Sequence, residues 1–365
     1  MKTKASIDWT LLYATAALAL FGLIMVYSTS SLLAEERFGS HLYFFKRQLM
    51  WLALSAVLVA IVIRVDLKWL SAYSPMIVFG AIVALALVFI MPARNGSQRW
   101  LFFGPLTIQP SEFARLAVVY YLAFSLSFAN HDLRDYRRLL VPYLPIIGTI
   151  LVLILLEPDL GTALTMGLTA LALFFMAGAR LFHLIAGLAP LATAGAFLVF
   201  VIGYKADRIK TYLAALSDPL SGSYQVKQAI LTLGAGGIGG VGLGDGRQKH
   251  FFLPYPHTDF VFAAIGEEVG FIGLTLALAL FLLILYRGLK IASYQPDRFG
   301  YLLASGITLG LFFNIAINIG VVTSLLPTTG LPLPLLSYGG SSLLVTLLSI
   351  GALLNLSRRR DGWTA

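Results

Sequence analysis

The residues that could do chemistry in this chain are few, because most ionisable side chains lie outside its long apolar runs. Charge at membrane depth costs roughly 2.5–3.5 kcal/mol on insertion scales, so the exceptions deserve a chemical reading. Asp259 stands in Pro254-Tyr255-Pro256-His257-Thr258-Asp259-Phe260, where a polar stretch turns into an apolar run. An acid in the first helical turn is stabilised by the helix dipole. The same carboxylate, beside His257 and Thr258 and under a basic loop, is also placed to take a proton from a hydroxyl. Glu267 and Glu268 follow on the same run, about 12–14 Å deeper if the helix is regular. At 100° per residue Glu267 is expected nearer the face of Asp259, and Glu268 on the opposite face.

Three further motifs carry charge or free backbone groups. In Gln109-Pro110-Ser111-Glu112-Phe113-Ala114-Arg115, Ser111 is a candidate cap, and Glu112 and Arg115 share a helix face. They form either a self-satisfied pair or a guanidinium offered to an anion such as phosphate. Glu157-Pro158-Asp159-Leu160-Gly161-Thr162 reads as a helix stop followed by an Asp cap, or as oxygen ligands for a hard divalent cation. In Ser337-Tyr338-Gly339-Gly340-Ser341, after Pro332 and Pro334, free N–H groups at a helix start could meet an anion; a plain re-entrant turn competes equally. The stretch Gly234-Ala235-Gly236-Gly237-Ile238-Gly239 matches a dinucleotide fingerprint in spacing, but the reading fails because no strand precedes it and its "ribose" acid would open a membrane helix. No P-loop pattern occurs either. With no cysteine in the chain, thiolate metal sites and cysteine nucleophiles are excluded.

The elements that must position these residues are membrane helices. Of 365 residues 58% are hydrophobic and 12% charged, and mean hydropathy is +0.85. Ten apolar runs are long enough to propose crossings: 10–33, 48–63, 70–91, 111–129, 141–156, 161–178, 182–202, 260–286, 301–322 and 338–356. The first is longer than a signal-peptide core and is read as retained. An even count puts both termini on one face. Fourteen Lys and Arg fall on that face, against five in the short opposite loops. The positive-inside rule therefore predicts cytoplasmic termini. Sidedness also accounts for much of the +9 net charge and removes its support for a nucleic-acid partner. The segment 203–258, between spans seven and eight, is the one large loop and is expected outside. The fold class expected is an all-α polytopic membrane protein, a single domain over 1–365.

Taken together, these motifs and Asn95-Gly96-Ser97-Gln98-Arg99-Trp100 resemble the SEDS family (shape, elongation, division and sporulation), the RodA, FtsW and SpoVE proteins. The stretch 242–249 looks more like the FtsW-type branch. The resemblance implies a ten-helix peptidoglycan glycosyltransferase that polymerises lipid II at the outer face of the bacterial cytoplasmic membrane. It implies a class B penicillin-binding transpeptidase as partner, with other elongation or division proteins, and a divalent cation (Mg or Mn) whose weak candidate ligands are Asp159 and Asp259. The family's essential aspartate falls on Asp259, expected to be the general base on the acceptor hydroxyl. Positive charge for the leaving diphosphate is expected from Arg115 and Arg47, then Arg99 and Lys227, with Glu112 orienting Arg115. Gln109, Ser111, His257, Thr258, Glu267, Ser337, Gly339, Gly340 and Ser341 complete the expected substrate-binding set. Two rival classes are a lipid II flippase, which should carry polar residues through both halves of the bundle, and a scaffold that needs no catalytic acid. Glu267 and Glu268 are the residues that favour transport.

Overall fold

A computed structural model describes residues 6–92, 97–104, 106–128, 135, 141–186, 210–214, 222–247 and 252–358. The helices are α1 (Trp9–Phe38), α2 (Tyr43–Val62), α3 (Leu67–Ala72), α4 (Ser74–Val88), α5 (Pro110–Ser127), α6 (Leu144–Leu156) and α7 (Leu160–Met176). They continue with α8 (Tyr224–Ala235), α9 (Val261–Ser293), α10 (Arg298–Val322) and α11 (Gly340–Ser357). Among the described residues five helices (α1, α2, α9, α10 and α11) are long and apolar enough to cross a bilayer, and α4, α6 and α7 are shorter apolar helices.

Nine of the ten expected runs are helical. The seventh, 182–202, lies outside the described residues beyond 186, as does most of the loop's first half. The run at 70–91 is not one helix. It divides at Tyr73 into α3 and α4, because Pro75 cannot donate a backbone hydrogen bond to a continuing helix and instead sits in the first turn of a new one. A small antiparallel hairpin departs from the all-α expectation: β1 (Leu101–Phe103) pairs with β2 (Leu106–Ile108), with Leu101 opposite Ile108. The segment expected as an external loop also contains a helix, α8, capped by Ser223.

Side-chain bonds tie the helix ends into two groups. At one end Asp8 pairs with Arg287, and its N–H donates to Ser357 Oγ at 3.1 Å. There too Asn355 Nδ2 donates to the carbonyls of Val62, Ile63 and Val65, Lys68 pairs with Asp297, and Arg298 donates to Ala177 O. The opposite end gathers Gln48, Arg99, Gln109, Asp159, Asp259 and the Pro-rich segment before α11. This two-ended arrangement follows from helices that alternate in direction.

The longest helix is broken. Gly270 of α9 has φ 71° and ψ −168°, which frees the carbonyls of Glu267 and Glu268 and the N–H groups of Phe271 and Ile272. Unpaired groups of this kind are costly in an apolar bundle. The glycine-rich segment after α8 supplies every missing partner: Val241 N–H to Glu267 O at 2.9 Å, Gly242 N–H to Glu268 O at 3.1 Å, Phe271 N–H to Gly237 O at 2.9 Å and Ile272 N–H to Ile238 O at 3.2 Å. The approach needs glycine, since a Cβ on Gly236 would lie 1.8 Å from Gly266 O. This is the work of the stretch that mimics a dinucleotide fingerprint.

Candidate active site

Asp259 precedes α9 rather than lying in its first turn, which opens at Val261. It is half-buried. Burial pushes its carboxyl up to about 6; the guanidinium of Arg99 pulls down against this, and the charge of Asp159 adds to it. A group with this value is mostly ionised at neutral pH yet basic enough to accept a proton.

The segment carrying Asp259 is fastened at successive carbonyls. Tyr338 N–H donates to His257 O at 2.7 Å, and Ser337 Oγ to Thr258 O at 2.5 Å. Asn318 Nδ2 donates both to Asp259 O at 3.0 Å and to Leu331 O at 2.6 Å. Ser337 Oγ also accepts from Leu333 N–H at 2.8 Å. Gln48 of α2 donates to Ser337 O and accepts from Gly339 N–H. Small residues let the Pro-rich segment enter this deeply: a Cβ at Gly22 would sit 2.1 Å from Leu335 O, and one at Gly340 2.2 Å from Trp51 Nε1.

Asp159 caps α7, its Oδ1 accepting from Thr162 N–H at 3.1 Å. Its Oδ2 accepts from Thr162 Oγ1 at 3.0 Å and Gln109 Nε2 at 3.1 Å, with Arg99 Nη1 at 4.0 Å. Arg99 further donates to the carbonyls of Glu157 and Pro158. Glu157, fully buried at the end of α6, is pushed up to about 8 by burial and then by Asp159, so its carboxyl is mostly protonated at neutral pH. Gln109 connects onward, its N–H donating to Ser341 Oγ at 3.0 Å and its Nε2 to Ser111 Oγ at 3.1 Å. Ser111 therefore does not cap α5; Pro110 occupies the first turn and Gln109 the cap position without a side-chain bond. Within α5 Arg115 Nη2 holds Glu112 Oε2 at 2.7 Å, both buried, while Arg115 Nη1 has no hydrogen-bond partner among the described residues.

Other expected site residues go elsewhere. Because α9 breaks at Gly270 and the glycine-rich segment docks there, Glu267 Oε1 accepts from Arg247 N–H at 2.8 Å, and Glu268 Oε2 from Ser28 Oγ and Gly244 N–H. Lys227 lies on α8, outside the segments that carry Asp259, Asp159 and Arg99. Arg47 donates to Tyr43 OH, with its guanidinium 5.7 Å from that ring. His257 is buried against Phe44 and Tyr338, and burial, with Arg37, pushes it down to about 4, so it is neutral at pH 7. Thr258 Oγ1 closes a local turn onto Tyr255 O.

The divalent cation finds no preformed cage. Asp159 already accepts three hydrogen bonds beside a guanidinium, and the described residues hold no group of three His, Asp or Glu suited to a metal.

Apolar helices with an acid, guanidinium groups and amides gathered at one end are the architecture of a multi-pass membrane protein. The chain belongs to the family whose model is described as "Cell cycle protein", FTSW_RODA_SPOVE, which matches residues 8–362. It is similar to the stage V sporulation protein E of Bacillus subtilis, 42% identical over 97% of this chain and 98% of that one. It is also similar to a probable peptidoglycan glycosyltransferase FtsW of Geobacter metallireducens, 40% identical over 97% of this chain and 96% of that one. Among solved structures, a chain from a study titled "Structural coordination of polymerization and crosslinking by a peptidoglycan synthase complex" matches with TM-score 0.80 and 30% identity, covering 97% and 98% of the two chains. The rod shape determining protein RodA of Thermus thermophilus matches at TM-score 0.72 and 29% identity, covering 98% of each.

Proposed function

We propose that this protein is a peptidoglycan glycosyltransferase that polymerises lipid II at the outer face of the cytoplasmic membrane. The observation that carries the reading is Asp259, a half-buried carboxyl held near 6 between Arg99 and Asp159, on a backbone fixed by the Pro-rich segment. The names of the relatives and the synthase-complex neighbour support the same activity. The acidic mouth faces outward and the end bearing Asp8 and Ser357 faces the cytoplasm, a sidedness supported by the Lys and Arg excess.

In the reaction, Asp259 takes the proton of an acceptor sugar hydroxyl as its oxygen bonds to the donor's anomeric carbon. The bond from that carbon to the lipid diphosphate breaks, and the configuration inverts. Fixed positive charge offsets the diphosphate that develops. Arg115, with Nη1 uncommitted and Nη2 set by Glu112, and Arg99, anchored on the 157–158 carbonyls, supply it. A class B penicillin-binding protein is the expected partner.

Against transport weighs the engagement of Glu267 and Glu268, which accept hydrogen bonds from the docked glycine-rich segment and Ser28. The test is polymerisation of purified lipid II by the protein with its partner. Asp259→Asn should lower turnover by at least about 10²-fold with folding and partner binding intact; wild-type rates in that variant remove Asp259 as the base and leave the scaffold reading.

A further inference from the structure

We infer that Asn318, near the C-terminal end of the apolar helix α10, is a positioning residue for the Asp259 carboxylate; the inference rests on Asp259 being the base. Asp259 lies on an irregular stretch between Tyr255, whose φ is 54°, and the start of α9 at Val261, so no helix of its own fixes its direction. Direction comes from outside. The carbonyls of 257 and 258 are held by Tyr338 and Ser337, which both belong to the Pro-rich segment. The carbonyl of 259 is held by Asn318, which belongs to α10.

The geometry gives that amide a second duty. A primary amide carries two N–H donors, and Asn318 Nδ2 donates to the carbonyls of Asp259 and Leu331 at 3.0 and 2.6 Å. One rigid group on α10 therefore joins the segment that carries the base to the segment that clamps its other carbonyls. Asn318 is 2% exposed, and α10 packs on α5, α7 and α9, so its Cα is a fixed reference. Removing the amide leaves two buried carbonyls to find other donors and frees the end of the clamp nearest the carboxylate. Misplacing a reacting group by about 1 Å can cost about 10²-fold in rate.

Asn314, one turn away on α10, is the matched control. It is fully buried, and neither amide atom has a hydrogen-bond partner among the described residues. Exchanging it for leucine removes no described hydrogen bond.

The experiment compares Asn318→Leu and Asn314→Leu with wild type in the lipid II polymerisation assay with the partner, together with thermal unfolding in detergent. Asn318→Leu should lower kcat about 10- to 100-fold and leave KM within about twofold of wild type. Its acid limb should move below the wild-type midpoint, because a loosened Asp259 is better hydrated. Asn314→Leu should keep wild-type kcat and pH profile. Equal loss in both variants, or loss in Asn318→Leu with an unmoved acid limb, overturns the inference in favour of general packing. If Asn318→Leu fails to fold, Asn318→Ala, which removes the donors and adds neither bulk nor charge, is read the same way. Full activity in Asp259→Asn would sink the base assignment itself, an outcome separate from all of these.

Discussion

At the scale of single residues, the value near 6 at Asp259 makes the pH dependence of the reaction a direct probe of the site. Its carboxyl is raised by burial, so the base form fills as pH rises through about 6 and empties below it. Turnover should therefore fall about tenfold per pH unit on the acid side and level off above about pH 7. Arg99 is what keeps the midpoint from lying higher. In Arg99→Gln the limb should shift upward and the plateau should drop, because the same guanidinium is proposed to serve the leaving diphosphate; pH–rate profiles of the two proteins check both parts. The charged members of this cluster were legible in the sequence, since Asp259, Arg115 and Asp159 are expensive where they stand. Asn318 and Gln48 were not. A neutral amide in an apolar run carries no comparable cost signal, and its partners lie far along the chain: Asn318 bonds to Asp259, and Gln48 to Ser337 and Gly339.

At the scale of elements, the site depends on irregular segments pressed against helices at small residues. Gly22 on α1 faces Leu335 O, which a Cβ would approach to 2.1 Å, and backbone cannot yield as a flexible side chain does. Gly22→Ala should destabilise the protein by about 1–3 kcal/mol and reduce turnover by shifting the Pro-rich segment. A lowered thermal midpoint together with lowered polymerisation is the expected result. The apolar helices were readable from hydropathy, and so was the Asp159 cap. The break at Gly270 was not, because Val261 to Gly273 reads as one apolar run and a lone glycine is tolerated within a helix. What makes the break affordable is a segment some thirty residues earlier that supplies the missing partners, and local sequence cannot announce a pairing across that distance.

At the scale of the whole molecule, the two tied ends make sidedness testable in a chain that has no cysteine of its own. With a membrane-impermeant maleimide on intact cells, Gly39→Cys should label, and Lys68→Cys should label only after the membrane is opened. The reverse pattern would invert the proposed orientation and turn Asp259 inward. The charge bias read from sequence and the bonds at the helix ends agree on which residues share a side: Lys68, Arg287, Arg298 and Arg358 all lie in the group with Asp8 and Asn355.

Residues 8 and 357 are near neighbours in space, joined where the Asp8 N–H meets Ser357 Oγ. From that junction α1 runs to Gly22 and α11 runs back to Gly340, the two points at which the Pro-rich segment leans on its walls. Two stiff rods hinged at a common foot thus flank the loop that steadies the base. A force or a binding protein acting on the foot would be felt about 20–25 Å away as a change in the spacing of those walls.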